Sequence, residues 1–143
     1  MKLSEIMDAW DNDSEINEAN IAVETLRVPK LHSKYLKIMT LEKLALKKLS
    51  SERDVLAEQL LQYFQGAIDG KDIGRPPFQL KITTQARAEK ALLADKEYMD
   101  LSKQIGNQEE KLLFLKEVIS QINMRSYNIK NYIEWKKWTN GGE

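Results

Sequence analysis

NQEEKLLFLKEVISQINMRSYNIKNYIEWKKW, residues Asn107 to Trp138, is the stretch whose reading decides the fold. Leu112, Leu115, Ile119, Ile122, Ile129 and Ile133 recur at 3-4-3-7-4 spacing, with Ser126 as the polar interruption. That is the seam of a helix built to meet other helices, and it marks these six residues as the expected subunit interface. The rest of the helix is basic and aromatic. Lys111, Lys116, Arg125, Lys130, Lys136 and Lys137 stand against only Glu117 and Glu134 between 111 and 138, with Tyr127, Tyr132, Trp135 and Trp138 interleaved. Cations beside π-faces suggest a binder of unpaired nucleic acid, in which Tyr63 and these four aromatics offer stacking platforms.

Working outward, Gly106-Asn107 predicts a break before this helix, and Asn107 with Glu110 resembles a capping box. Thr84 is expected to cap a helix over about 85–105 that turns Leu92, Leu93, Tyr98, Leu101 and Ile105 inward. Gly66, Gly70, Gly74, Pro76 and Pro77 define a loop, and Phe78-Gln-Leu-Lys-Ile-Thr83 alternates as a short extended segment packing Phe78, Leu80 and Ile82. From Pro29 to Phe64 the positions Leu31, Tyr35, Ile38, Leu41, Leu46, Leu49, Leu56, Leu60 and Phe64 repeat near the helical period, with Ser50-Ser51 as a possible kink. Two short helices are expected before it. One starts after Ser4 and ends near Asp11; the other covers about Asn17 to Arg27, turns Ile21, Leu26 and Val28 inward and is closed by Pro29. Gly141-Gly142-Glu143 reads as a frayed tail.

The expected class is all-α: an elongated helical bundle or coiled coil of two or three long helices plus short N-terminal helices, with an extended segment near 78–83. Four stretches follow: an acidic segment 1–28, a long basic helix 29–66, a loop and extended segment 67–84, and a C-terminal helical hairpin and oligomerisation region 85–138. The composition agrees, since 143 residues with 31% charged, 6 Gly and 3 Pro suit long helices in one domain. No apolar run approaches the roughly 20 residues that cross a bilayer, so no membrane partner is expected and the chain reads as soluble. With no Cys, disulfides, thiolates and Cys-based zinc sites are absent.

The net charge of zero hides a segregation. Residues 1–26 carry one basic and seven acidic residues, 27–53 eight and two, 54–110 seven and ten, and 111–138 six and two. Counterions are released only where cations lie along phosphates, so 27–53 and 111–138 are the candidate phosphate contacts. The acidic N-terminus is their intramolecular or intersubunit competitor.

Catalytic signals are missing. His32 has no acidic residue three or four positions away, so it reads as a structural histidine. The glycines at 66, 70 and 74 precede prolines and not a Lys-Ser/Thr helix start, which makes them turn residues. Asp95, Glu97 and Asp100 surround Lys96 and read as a solvated face. The expectation is a non-enzyme with no cofactor and no metal.

Several blocks together resemble the UvsY family of phage recombination mediators: Leu26-Arg-Val-Pro-Lys-Leu-His-Ser-Lys-Tyr-Leu36, Leu60-Leu-Gln-Tyr-Phe-Gln-Gly66, Pro77-Phe-Gln-Leu-Lys-Ile82, Leu93-Ala-Asp-Lys96 and Arg125-Ser-Tyr-Asn-Ile-Lys-Asn-Tyr-Ile-Glu-Trp135. The resemblance spans nearly the whole chain. It implies a homo-oligomeric ring of six or seven subunits that binds single-stranded DNA without sequence preference. Its partners would be the phage recombinase and the phage single-strand DNA-binding protein, in the cytoplasm of the infected bacterial host. Where the family carries Lys or Arg shortly before a Tyr-Tyr-x-Gly motif, this chain has Glu58, Gln59, Leu60 and Gln62. That departure moves the expected DNA contact upstream to Lys43, Lys47, Lys48 and Arg53, with Arg125 and Lys130 as a second set. The alternative is a non-catalytic coiled-coil scaffold that docks partner proteins and does not touch DNA.

Overall fold

Two stretches poor in helix breakers give two helices of 44 residues in the computed structural model, which describes residues 1–141. In order the helices are α1 (Leu3–Ser14), α2 (Ile21–Phe64), α3 (Gln85–Ala94) and α4 (Lys96–Thr139), with single 3₁₀ turns at Glu18–Asn20 and Gly70–Ile73. No strand occurs among the described residues, so the class is all-α as the periodicity implies. Residues 78–83, expected as an extended segment, form no strand, and Leu80 lies in a bend. Gly141 lies in a turn at φ +89°, and the rest of the expected frayed tail, Gly142 and Glu143, lies outside the described residues.

The boundaries differ from the sequence reading at two breakers, Pro29 and Gly106. Pro29 sits inside α2, because Glu24 before it and Leu31 and Tyr35 after it are all buried in one packed unit. Packing on both sides outweighs the roughly 3 kcal/mol that an interior proline costs. Gly106 likewise lies inside α4, where a Cβ would meet nothing within 4 Å and only the propensity cost of about 1 kcal/mol applies. The break falls instead at Asp95, at ψ 130°, whose Oδ2 accepts the Tyr98 N–H at 3.0 Å and caps α4. At α1 the cap comes from Glu5, which accepts the Lys2 N–H at 2.7 Å, rather than from Ser4.

The chain divides into two compact units, one of Met1–Lys43 with Glu110–Glu143 and one of Leu44–Glu109. The core of the first is Ile6 of α1, Leu31 and Tyr35 of α2, and Leu115, Val118 and Ile122 of α4, with Trp10 meeting Tyr35 edge-on at 5.5 Å. From Leu115 onward the buried residues of α4 are Leu115, Val118, Ile122, Arg125 and Ile129, an unbroken 3-4-3-4 register. The seam is therefore rotated from the expected one. Val118 is its aliphatic member where Ile119 was expected, and its polar position is Arg125, not Ser126.

The second unit closes on Leu60, Tyr63, Phe64 and Leu92, against which Phe78 and Ile82 of the 78–83 segment pack. Tyr63, Phe64 and Phe78 form a triangle of rings 5.2 to 5.5 Å apart. The segment is pinned by the Ile82 N–H to the Phe64 carbonyl at 3.1 Å and by the Tyr63 hydroxyl donating to the Pro76 carbonyl at 2.6 Å. Gly66 ends α2 in the left-handed region at φ +76°, and Ala67 donates back to Gln62 at 2.9 Å. Gly70 is needed for close approach, since a Cβ there would stand 2.5 Å from the Arg75 carbonyl oxygen. Leu26, Leu41, Leu80 and Leu93, all expected inward, are 64% to 80% exposed. Each shares its short window with a better-placed apolar neighbour, so periodicity alone chose the wrong one.

Arg75 holds this unit to the start of α4, donating to both oxygens of Asp95 at 2.6 and 3.0 Å and to Glu97 at 2.7 Å. Two of the three acidic residues expected on a solvated face are thus spent on one guanidinium. The Arg75 hydrogen bond holds the Asp95 carboxyl below its ordinary value of 3.8. A depressed carboxyl stabilises the fold above its unfolded value and loses that contribution as pH falls through the folded one. Thermal unfolding should therefore be nearly flat from pH 7 to about 5 and fall below about 4, and Asp95→Asn should lower the neutral-pH Tm while shallowing the acid limb. An Asp95→Asn protein with the same Tm and the same acid profile as the parent would remove this ion pair from the account.

Candidate nucleic-acid interface

Which cations can meet a phosphate depends on which are already satisfied, and in the first unit the acidic N-terminus decides this. α1 ends at Ser14 with no basic residue in its last turn, so its final carbonyls face outward at the negative end of the helix dipole. Arg125 of α4 supplies the missing cation. Its Nη1 donates to the carbonyls of Asp13 and Ser14 at 3.1 and 3.3 Å, and its Nη2 to that of Glu15 at 3.0 Å and to Glu24 Oε2 at 2.9 Å. Arg125 is 3% exposed and Glu24 6%. Burial pushes the Glu24 carboxyl up, but the Arg125 hydrogen bond, a backbone N–H at Asn17 and the nearby Arg27 together hold it below its ordinary range.

Asp13 does the same for α2. Its carboxylate accepts from Arg27 Nη2 at 3.0 Å, Lys34 Nζ at 2.6 Å and the Tyr35 hydroxyl at 2.8 Å. Burial and the Asp13 hydrogen bond raise the Tyr35 phenol well above its usual range, so it stays a donor. Met1, through its amino terminus, and Lys111 each pair with Glu42 at 3.5 Å, and the Tyr132 hydroxyl donates to Glu18 at 3.2 Å. Within the single chain, Asp13 and Glu24 of the acidic N-terminal stretch thus pair with cations of both basic segments.

The expected DNA-binding residues separate accordingly. Lys43, Lys47 and Lys48 on α2 and Lys130 on α4 are exposed, and none is in an ion pair with a described residue. Lys43 and Lys47 stand one turn apart on one side of α2. Arg53 is half-buried and lies seven residues from both Leu46 and Leu60, in register with the packed face of α2 and not with the lysines. Arg125 is withdrawn from solvent entirely. Its burial was legible only as the 3-4-3-4 register with Val118, Ile122 and Ile129, which a cation in the seam disguises.

The expected interface residues also divide. Leu115, Ile122 and Ile129 are covered within the chain, Leu112 and Ile119 are half-buried, and Ile133 is 38% exposed. Tyr63 is 6% exposed and packed, so it offers no stacking face. A second apolar row on α4 was missed by the seam analysis: Leu113, Met124, Tyr127, Trp135 and Trp138 are 47% to 78% exposed. Successive members lie 11, 3, 8 and 3 residues apart, about three, one, two and one helical turns, so they share the side away from the core. His32 is half-exposed, and among the described residues no cluster of His, Asp and Glu is arranged to hold a metal ion.

The family described as "Recombination, repair and ssDNA binding protein UvsY" matches residues 9–142. Among solved structures, the bacteriophage T4 recombination mediator protein UvsY in lattice type IV superposes with a TM-score of 0.81 at 18% identity, covering 97% of this chain and 99% of the other. The same protein in lattice type II gives 0.80 at 18% identity, covering 99% of both chains. In lattice type I it gives 0.80 at 16%, covering 94% and 98%. At these identities the likeness is one of fold. No curated protein matches the chain.

Replacing Arg125 by Met should lower stability by about 3 kcal/mol in urea unfolding, because Glu24 and the α1 carbonyls would be left buried without their donor. Arg125→Lys should recover little, since an ammonium cannot fork to four acceptors. An Arg125→Met protein with unchanged urea midpoint would show that the clamp does not hold the first unit.

Proposed function

We propose that this chain, which belongs to the UvsY family, is a recombination mediator that binds single-stranded DNA without sequence preference and promotes loading of a phage recombinase onto strands covered by the phage single-strand DNA-binding protein. The observation that carries this reading is the array of Lys43, Lys47 and Lys48: exposed, in no ion pair with a described residue and concentrated in one stretch of a chain whose net charge is zero. Lys130 on α4 adds a further exposed cation. One chain offers few such contacts. A homo-oligomeric ring multiplies the phosphates neutralised on one strand, so affinity comes from avidity and falls steeply with salt. No bond in the DNA is made or broken, and the setting is the cytoplasm of the infected bacterial host.

For the contact between copies, the half-buried Leu112 and Ile119 and the exposed Ile133 remain from the original seam. The main contact is assigned to the outer row of α4, where Met124, Tyr127 and Trp138 have no covering partner in the single chain.

Two measurements test the reading. Changing Lys43, Lys47 and Lys48 together to Ala should leave assembly intact and reduce the slope of log K against log salt by about 2 per chain, at roughly 0.7 per phosphate on a single strand. Unchanged affinity for oligo(dT) would favour the scaffold reading. Met124→Glu with Trp138→Glu should keep the parent's helix content and Tm yet sediment as a single chain; a variant that still sediments as the full assembly would place the contact elsewhere.

A further inference from the structure

The first part of α2 carries a second cation row that the reading above does not use. Arg27, Lys30, Lys34 and Lys37 follow one another at 3-4-3 spacing, so their Cβ atoms lie about 5 to 6 Å apart along one helix face. The end of α1 faces this row, and between them lies a pocket of about 630 Å³ lined by the four cations, Ser33 and Asp13. Its chemistry is unbalanced. The Asp13 carboxylate pairs with Arg27 at 3.0 Å and Lys34 at 2.6 Å, and Glu24 reaches Arg27 at 3.5 Å. Lys30 and Lys37 line the same pocket, are exposed and pair with no described carboxylate.

A carboxylate already seated on Arg27 and Lys34 demonstrates that the pocket accepts an anionic oxygen. A row of cations at one-turn intervals suits a chain of anions better than a lone one. We propose that this pocket is a second backbone-phosphate site for single-stranded DNA, in which Asp13 is a built-in competitor that phosphate displaces from Arg27 and Lys34. Lys30 and Lys37 make the first contacts, being free; Arg27 and Lys34 join when the strand outcompetes Asp13, and the Ser33 hydroxyl can donate to the same phosphates. Contacts at Arg27 and Lys34 thereby each cost an internal ion pair, which keeps the pocket weak for isolated anions and favours polyanions held nearby by other contacts. The inference rests on the single-stranded DNA reading, and the experiment separates the two.

Lysine acetylation of the full chain, with and without oligo(dT) at low salt, reads each contact directly. Protection of Lys30 and Lys37 together with Lys43, Lys47 and Lys48 is the expected result. Protection confined to Lys43, Lys47 and Lys48 would overturn the second site and leave the general reading standing, whereas no protection anywhere would overturn both. Lys30→Ala with Lys37→Ala should weaken oligo(dT) binding about 25-fold near 0.1 M salt and reduce the salt slope by about 1.4 per chain. Asp13→Asn keeps an acceptor for the Tyr35 hydroxyl and should bind more tightly with a steeper slope; a folded Asp13→Asn protein that binds no more tightly overturns the competition. Poly-glutamate protecting Lys30 and Lys37 as well as oligo(dT) of equal charge would overturn the phosphate assignment in favour of an acidic peptide.

Discussion

The first unit depends on one guanidinium. Arg125 occupies a position in the α4 register that an aliphatic side chain would otherwise fill, and it reaches four oxygens on two other segments: three carbonyls at the end of α1 and the carboxylate of Glu24. A buried cation is tolerable only with such a set of acceptors, because the desolvation penalty must be offset by charge-assisted hydrogen bonds. The reciprocal holds for α1. It has twelve residues, too few to be stable alone, and its open carbonyl end lacks a cation of its own. Apolar packing of Ile6 and Trp10 fixes its body and Arg125 fixes its end, and that end is what presents Asp13 to α2.

From this follows a division of labour among cations that no count of charges reveals. The acidic N-terminus does not neutralise the basic segments evenly. Asp13 and Glu24 pair with Arg27 and Lys34 and with Arg125, while Lys43, Lys47 and Lys48 are in no ion pair with a described residue. A chain with zero net charge thus keeps an electropositive stretch free without becoming a generally sticky polycation. Surface ion pairs contribute little to stability, so the Asp13 pair with Lys34 matters less as a brace than as an occupant of cations.

Much of this was legible in the residues, and the misses have a common cause. Helical class, the loop at 66–77 and the packed roles of Leu31, Tyr35, Leu60 and Phe64 follow from periodicity and turn chemistry, and the structure places them so. Breakers were over-read: Pro29 and Gly106 each cost one to a few kcal/mol locally, which burial on both sides outweighs, whereas the true break at Asp95 carries no Gly or Pro. Its signal was an acidic residue at an N-cap with Arg75 twenty residues earlier, a long-range pairing that local pattern cannot supply. The same limit governs the site. Exposed Lys43, Lys47 and Lys48 sit where a helical wheel puts them, but Arg53 and Arg125 were counted as free cations because sequence shows charge and not partners.

The rotated seam also bears on how copies of the chain can meet. A helix offers one strongly apolar register for its own fold, and α4 spends Leu115, Val118, Ile122 and Ile129 there, leaving its opposite side to Leu113, Met124, Tyr127, Trp135 and Trp138. An exposed tryptophan pair at the end of a helix, next to Lys136 and Lys137, is poorly explained by the needs of a single subunit. Two rows of different composition on one helix permit folding and assembly to be tuned separately: the inner row is aliphatic and closed by a buried ion pair, the outer aromatic and adaptable. On the function proposed above, that separation lets assembly and strand contact change while each subunit's fold is unaltered.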